Sequence, residues 1–148
     1  MKKKQSAKTK SQRRRTLLKK YGVSRSWLLS KKGSKLQTQL TNYLKSIFPQ
    51  YTILSDFPID RYKIDILFKE LNLVVEFNGT YWHCDPRFYE KNYYNKKKRL
   101  YAENIWDYDY ERKTFLENLG YKVIIIWEHD YKNDCEQTLS LLKESIDG

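Results

Sequence analysis

Cysteine is scarce: among 148 residues only Cys84 and Cys135 carry thiols. Two are too few for a disulfide framework and suit a reducing compartment. Together with the two histidines, His83 and His129, they show no zinc-knuckle spacing, so a structural zinc is not expected. No run of about eighteen apolar residues occurs, so no segment reads as a membrane-spanning helix. The opening MKKKQSAKTKSQRRR lacks the apolar centre of an export signal, so a cytoplasmic location is expected rather than secretion.

Acid is missing locally. Residues 1–35 hold 14 of the 29 Lys and Arg and none of the 18 Asp and Glu. The remaining 15 basic residues face all 18 acids, so the body is close to neutral and the formal charge of +11 sits in an arm. A like-charged arm, here including Arg13, Arg14 and Arg15, is commonly a solvated tail that attracts polyanions, since neutralised phosphates release their counterions. It has no sustained amphipathic apolar face for a membrane surface, which favours nucleic acid as partner.

From Thr16 to Gly33 two apolar patches flank Tyr21-Gly22-Val23-Ser24. Gly22 suits the end of one helix and Ser24 the cap of the next. The pattern fits a minimal helix-turn-helix carrying Arg25 and Trp27 toward a groove, or equally a helical linker. The expected division is therefore a basic arm over 1–33 and one domain over 34–148.

Within that domain, apolar residues at 36, 40, 43, 44, 47 and 48 predict an amphipathic helix stopped by Pro49. Ser34 and Gln37 are spaced as its capping box. YTILSDF (51–57), YKIDILF (62–68) and LVVEF (73–77) read as an antiparallel meander, with Pro58 separating the first two strands. A second helix is expected from about Arg99 to Leu119, ending at Gly120. YKVIIIWE (121–128) reads as a strand covered on both faces, parallel to a neighbour because a helix precedes it. A last helix is expected with Asn133 and Glu136 as its capping box. The order αβββαβα implies an α/β fold with a mixed sheet.

Asp65 and Glu76 lie inside apolar strands that a short turn makes neighbours. A carboxylate there is costly unless paired or coordinated, and two that converge repel each other. Either they meet Lys63 and Arg61 at a strand edge, or they share a divalent cation; His83 close behind favours the cation. Hard oxygen ligands point to Mg2+ or Mn2+.

Two carboxylates on consecutive strands in this order resemble the PD-(D/E)XK nuclease fold, although Asn78 stands where that family has its lysine. FNGTYWH (77–83) is similar to the Gly-x-aromatic-Trp-His segment of very short patch repair endonucleases, and DYERKTFLENLGYKVIIIWE (109–128) resembles the same family in order and spacing. The resemblance spans roughly residues 34–130, while the zinc-binding residues of the repair branch are absent. Related phage and intron homing enzymes carry a Glu…Asp…His-x-Asp signature, on which Asp65, His83 and Asp85 match and Gln37 replaces the glutamate; Gln39 is a second candidate for that slot. The resemblance implies Mg2+- or Mn2+-dependent hydrolysis of DNA by a host or phage-encoded enzyme. Asp65 and Glu76 would hold the cation, His83 would take a proton, and Asp85 would orient His83 or hold a water. Tyr81 or Trp82 would stack on a base or wedge into the duplex, the other serving as a core plug. Lys96, Lys97, Lys98 and Arg99, either the solvated face of a helix or a phosphate anchor, sit where DNA would need holding. Trp106, Asp109 and Arg112 read as residues packing the second helix on the sheet. Trp127 and Glu128 would close the site from below or belong to the core. A module that binds DNA without cutting it, and a resolvase of branched DNA, are the competing functions. Monomer and homodimer remain equally open.

Overall fold

The computed structural model describes residues 33–147. The arm, with Arg13, Arg14, Arg15, Arg25 and Trp27, lies outside the described residues, as does the side chain of Ser34. The first helix, α1 (Gly33–Ile47), repeats Leu36, Leu40 and Leu44 on one stripe, and all three are buried. Strands β1 (Ile53–Ile59), β2 (Tyr62–Phe68) and β3 (Leu73–Asn78) follow as an antiparallel meander. A 3-10 turn at Lys69–Leu71 joins β2 to β3, and Asn72 closes it in the left-handed region with φ 47°. Pro58 does not separate the first two strands but sits within β1 opposite Lys63. Because β1 is the edge of the sheet, a missing N–H on its outer side costs no ladder bond.

The chain then leaves the sheet for an excursion that includes a small hairpin, β4 (Tyr94–Asn95) and β5 (Leu100–Tyr101). Helix α2 (Ala102–Asn118) therefore begins three residues later than its apolar pattern suggested, since Arg99 takes φ 57° to turn the hairpin. Lys96–Arg99 lie in that turn and not on a helical face. Gly120, at φ 98°, redirects the chain into β6 (Lys122–Trp127), which pairs in parallel with β3 along six residues. The sheet order is β1-β2-β3-β6, mixed as expected. Strand β6 is an edge, however, so its apolar run is half-buried and only Ile126 is fully enclosed. A short helix, α3 (Glu128–Asn133), precedes α4 (Cys135–Asp147). Asn133 ends α3 and donates its side-chain amide to the His129 carbonyl, so it does not cap α4.

Two cores result. Leu73, Val75 and Phe77 face a layer built by α1, α3 and α4, with Leu40, Tyr131, Leu139 and Leu142 among its contacts. Val74, on the other face, packs with Ile64, Leu67 and Leu116 of α2. A third cluster of Cys84, Ala102 and Ile105 fastens the excursion to the start of α2. Leu116 is wholly buried beneath that second core. Leu116→Ala is expected to cost about 2–5 kcal/mol in urea denaturation, as cavity-forming substitutions do; a change under about 1 kcal/mol would show that α2 is not fixed by this contact.

Candidate active site

Strands β2 and β3 are paired only as far as Ile66 and Val75, and one step further the register sets Asp65 opposite Glu76. The ladder opens there. The Phe77 N–H, which a neighbouring strand would otherwise satisfy, donates instead to Asp65 Oδ2 at 2.8 Å. The opening is the head of a cleft of about 150 Å3, lined on its polar side by Lys63, Asp65, Glu76, Asn78, His83, Asp109, Arg112 and Lys113. Leu116, Val123 and Ile125 give it an apolar floor.

Glu76 is buried, and burial raises its pKa to about 8, with repulsion from Asp65 adding to the effect. Arg112 opposes both: its Nη2 and Nε donate to Glu76 Oε1 at 2.7 and 3.2 Å. Nη2 also donates to the Lys63 carbonyl at 2.7 Å, which ties α2 to the strand beside the cleft. Arg61 does not serve here, since it bonds the Tyr62 hydroxyl. The basic partner of Glu76 comes from the helix, and not from Arg61 as in the alternative weighed from the sequence.

His83 enters the cleft from a compact turn in which its N–H donates to the Gly79 carbonyl and that of Asp85 to the Thr80 carbonyl. Its Nδ1 lies 2.8 Å from Asp109 Oδ2. With Nδ1 engaged by a carboxylate, the ring carries its basic lone pair on Nε2. Asp85 does not take this orienting role. It is fully buried and turned toward Arg87, whose backbone N–H, Nε and Nη2 all donate to it. Burial alone would raise the Asp85 pKa, but these bonds outweigh it and hold the carboxyl below its ordinary range. Arg87 reaches Asp130 as well at 2.6 Å, fastening the turn to α3.

The remaining candidates separate clearly. Gln37 is half-buried on α1, gives its carbonyl to the Thr41 hydroxyl, and is not among the residues lining the cleft. Gln39 accepts from the Tyr131 hydroxyl at 2.7 Å. Tyr81 is half-buried and Trp82 half-exposed, their rings meeting edge to face at 5.8 Å. Glu128 Oε1 accepts the Thr80 N–H at 3.4 Å, behind the His83 turn. Trp106 donates its indole N–H to the Cys84 carbonyl at 2.7 Å, so it fastens the helix to the excursion and not, as expected, to the sheet.

Asp109 and Arg112 are the site residues that sequence reasoning placed among structural ones. A signal did exist: Ile105, Asp109, Arg112 and Leu116 are spaced 4, 3 and 4, so two ionic residues interrupt a stripe whose ends are buried.

Among the described residues no three His, Cys, Asp or Glu side chains form a set that would hold a metal. Asp65 and Glu76 are a pair, suited to a hard cation that keeps most of its waters or takes oxygens from a substrate. The fold is mixed α/β with a mixed sheet, compatible with a nuclease-like α/β architecture. In sequence, the chain is 29% identical over 89 residues to a type II nicking enzyme, V.NmeAIP, of Neisseria meningitidis serogroup A / serotype 4A. The match takes in 57% of this chain and spans 63% of that relative's length. No family model and no solved structure matches.

The Glu76 environment fixes a pH dependence. Its folded pKa lies above the unfolded value of 4.5, so the folded state holds the extra proton and loses stability as pH rises from about 4.5 to about 8. Metal-free wild type is therefore expected to lose melting temperature across that window relative to Glu76→Gln, as followed by thermal denaturation. Parallel curves for the two proteins would mean that Glu76 is ionised at no cost.

Proposed function

We propose that the chain is a metal-dependent DNA endonuclease with a PD-(D/E)XK-like core, most like the very short patch repair endonucleases and their homing branch. The observation that carries this reading is the meeting of Asp65 and Glu76 at the mouth of one cleft with the His83–Asp109 pair. The similarity to a nicking enzyme supports it, as does the basic arm over residues 1–35. DNA is the proposed partner, and a single-strand nick is the product expected from one cleft acting on one phosphodiester. A host process linked to a phage or mobile element belongs to the same proposal.

The residues present fit a divalent cation of the Mg2+ or Mn2+ class. Two close carboxylates, one of them with its pKa pushed up by burial and by the other, form a site that positive charge relieves. When bound, such an ion would polarise the scissile phosphate and spread its negative charge. The chain's own part is proton handling and placement. Asp109 holds the His83 ring so that Nε2 takes a proton from the attacking water as its oxygen bonds to phosphorus and the bond to the leaving sugar oxygen breaks, that oxygen taking a proton from solvent. The imidazolium that forms is stabilised by the Asp109 carboxylate. Arg112 limits the repulsion between Asp65 and Glu76 before substrate arrives. Asp85 acts at one remove, by fixing the turn that carries His83. Gln37 contributes through α1 and not through the cleft. Trp82, half-exposed beside the turn, is the aromatic offered to a base, and Tyr81 the packed one.

One observation favours the second reading, a module that binds DNA without cutting it. Arg112 already bonds Glu76 at 2.7 Å, and a guanidinium there can stand in for a cation. Plasmid cleavage decides between the two. Wild type is expected to nick DNA with Mg2+ or Mn2+ and to stop on chelation. His83→Ala should lower the rate about 10²- to 10⁴-fold, Asp109→Asn about 10- to 100-fold, and Asp65→Asn should abolish cutting. A folded protein that binds duplex but cuts neither it nor a four-way junction would establish the binding module. Cutting confined to the junction would establish a resolvase.

A further inference from the structure

The basic turn Lys96-Lys97-Lys98-Arg99 is not uniform. Lys96, Lys97 and Arg99 are exposed, whereas Lys98 is half-buried. One buried side chain organises the turn. Asn95, fully enclosed, accepts the backbone N–H groups of Lys97 and Lys98 on its Oδ1 at 3.1 and 3.0 Å. Its amide nitrogen donates to the Tyr81 carbonyl at 3.0 Å, two residues before His83. The Arg99 N–H returns to the Asn95 carbonyl at 2.7 Å, and Arg99 adopts φ 57° to allow it. The turn is thereby bolted, through the Tyr81 carbonyl, to the segment that carries His83, and Lys98 is its one half-buried cation. Burial lowers the pKa of the Lys98 ammonium and the Asp109 carboxylate opposes the change, so Lys98 feels the partner of His83.

We propose that this turn divides its charges: Lys98 contacts the scissile phosphate at the rim of the cleft, while Lys96, Lys97 and Arg99 hold flanking phosphates of the same DNA. The proposal rests on the endonuclease reading and deepens it. It assigns Lys98 as a catalytic residue and its three neighbours as affinity residues. An ammonium brought to the rim would meet charge that develops as the phosphodiester breaks, and the Asn95 bonds fix the backbone from which the Lys98 stem extends. The exposed neighbours lie on flexible stems in water, where lysines strengthen binding through counterion release and carry little geometric demand. Asn78, at the cleft, supplies no cation in that place.

The test compares Lys98→Met, which keeps the apolar stem, with the double change Lys96→Ala/Lys97→Ala in the full chain. Binding is followed by fluorescence anisotropy of a labelled duplex over a range of salt, and cutting by single-turnover kinetics with Mg2+. Lys98→Met is expected to lower the single-turnover rate about a hundredfold while affinity stays within about twofold. Lys98→Arg should recover part of that rate. The double variant should keep the rate at saturating protein, bind more weakly, and flatten the salt dependence by about one unit of slope per lysine removed. The acid limb of the pH–rate profile should stay in place in Lys98→Met. A displaced limb with a full plateau rate would show that Lys98 acts only through Asp109 and His83, and overturns the assignment. Equal loss of affinity in both variants with unchanged rates would overturn it too. Wild type that never cuts would remove the endonuclease reading itself, whereas wild type that cuts beside a fully active Lys98→Met removes only this inference.

Discussion

Two carboxylates held against their mutual repulsion set the terms for the rest of this structure. Asp65 and Glu76 are forced together by the strand register, which the apolar residues around them hold: Ile66, Val75 and Val74 are buried to completion. Slipping the register by one residue would relieve the acids but would turn every one of those side chains to the wrong face. The fold therefore keeps the pairing and offsets its cost around it. Asp65 takes the Phe77 N–H, and Glu76 takes the Arg112 guanidinium. Both carboxylates stand where the sheet opens into the cleft.

Helix α2 is the element through which that constraint reaches the rest of the cleft. One face of it begins at Ile105 in the cluster under the excursion and ends at Leu116 in the core beneath β2 and β3. Between those anchors it presents Asp109 to His83 and Arg112 to Glu76, one helical turn apart. A helix anchored at both ends holds His83 and the acid pair at a set separation, which loops alone would not do. The excursion is in turn tied down by polar bonds in its interior, Asn95 to Tyr81, Trp106 to Cys84 and Arg87 to Asp85. Together they tie buried polar groups of the excursion to one another and to α2, so the turn bearing His83 has little freedom to shift.

Most of the sheet was legible because its strands are short, apolar and punctuated, and the parallel pairing of β3 with β6 followed from the intervening helix. The errors have local causes. Pro58 reads as a strand breaker only if its strand is central, and edge position is a tertiary fact. The run at 122–127 reads as doubly covered because composition does not show that, among the described residues, β6 is the last strand of its sheet. Asn133 satisfies the spacing of a capping box, yet α3 claims it first. Asp65, Glu76 and His83 could be singled out from the sequence since each breaks an apolar or turn pattern, and all three line the cleft. Asp85 kept the right spacing but points away from the cleft, because Arg87 two residues later captures it. Asp109 and Arg112 were hidden by distance along the chain: only folding brings a residue at 112 to one at 76, although their interruption of the α2 stripe was visible.

The most direct measurement is Mn2+ binding to the protein on a DNA duplex, followed by electron paramagnetic resonance in wild type and in Asp65→Asn/Glu76→Gln. A saturable site present in wild type and lost in the double variant, with the fold and DNA binding intact in both, is the result expected if the two carboxylates hold a cation. Equal Mn2+ uptake by both proteins, or none by either while DNA is bound, would contradict it.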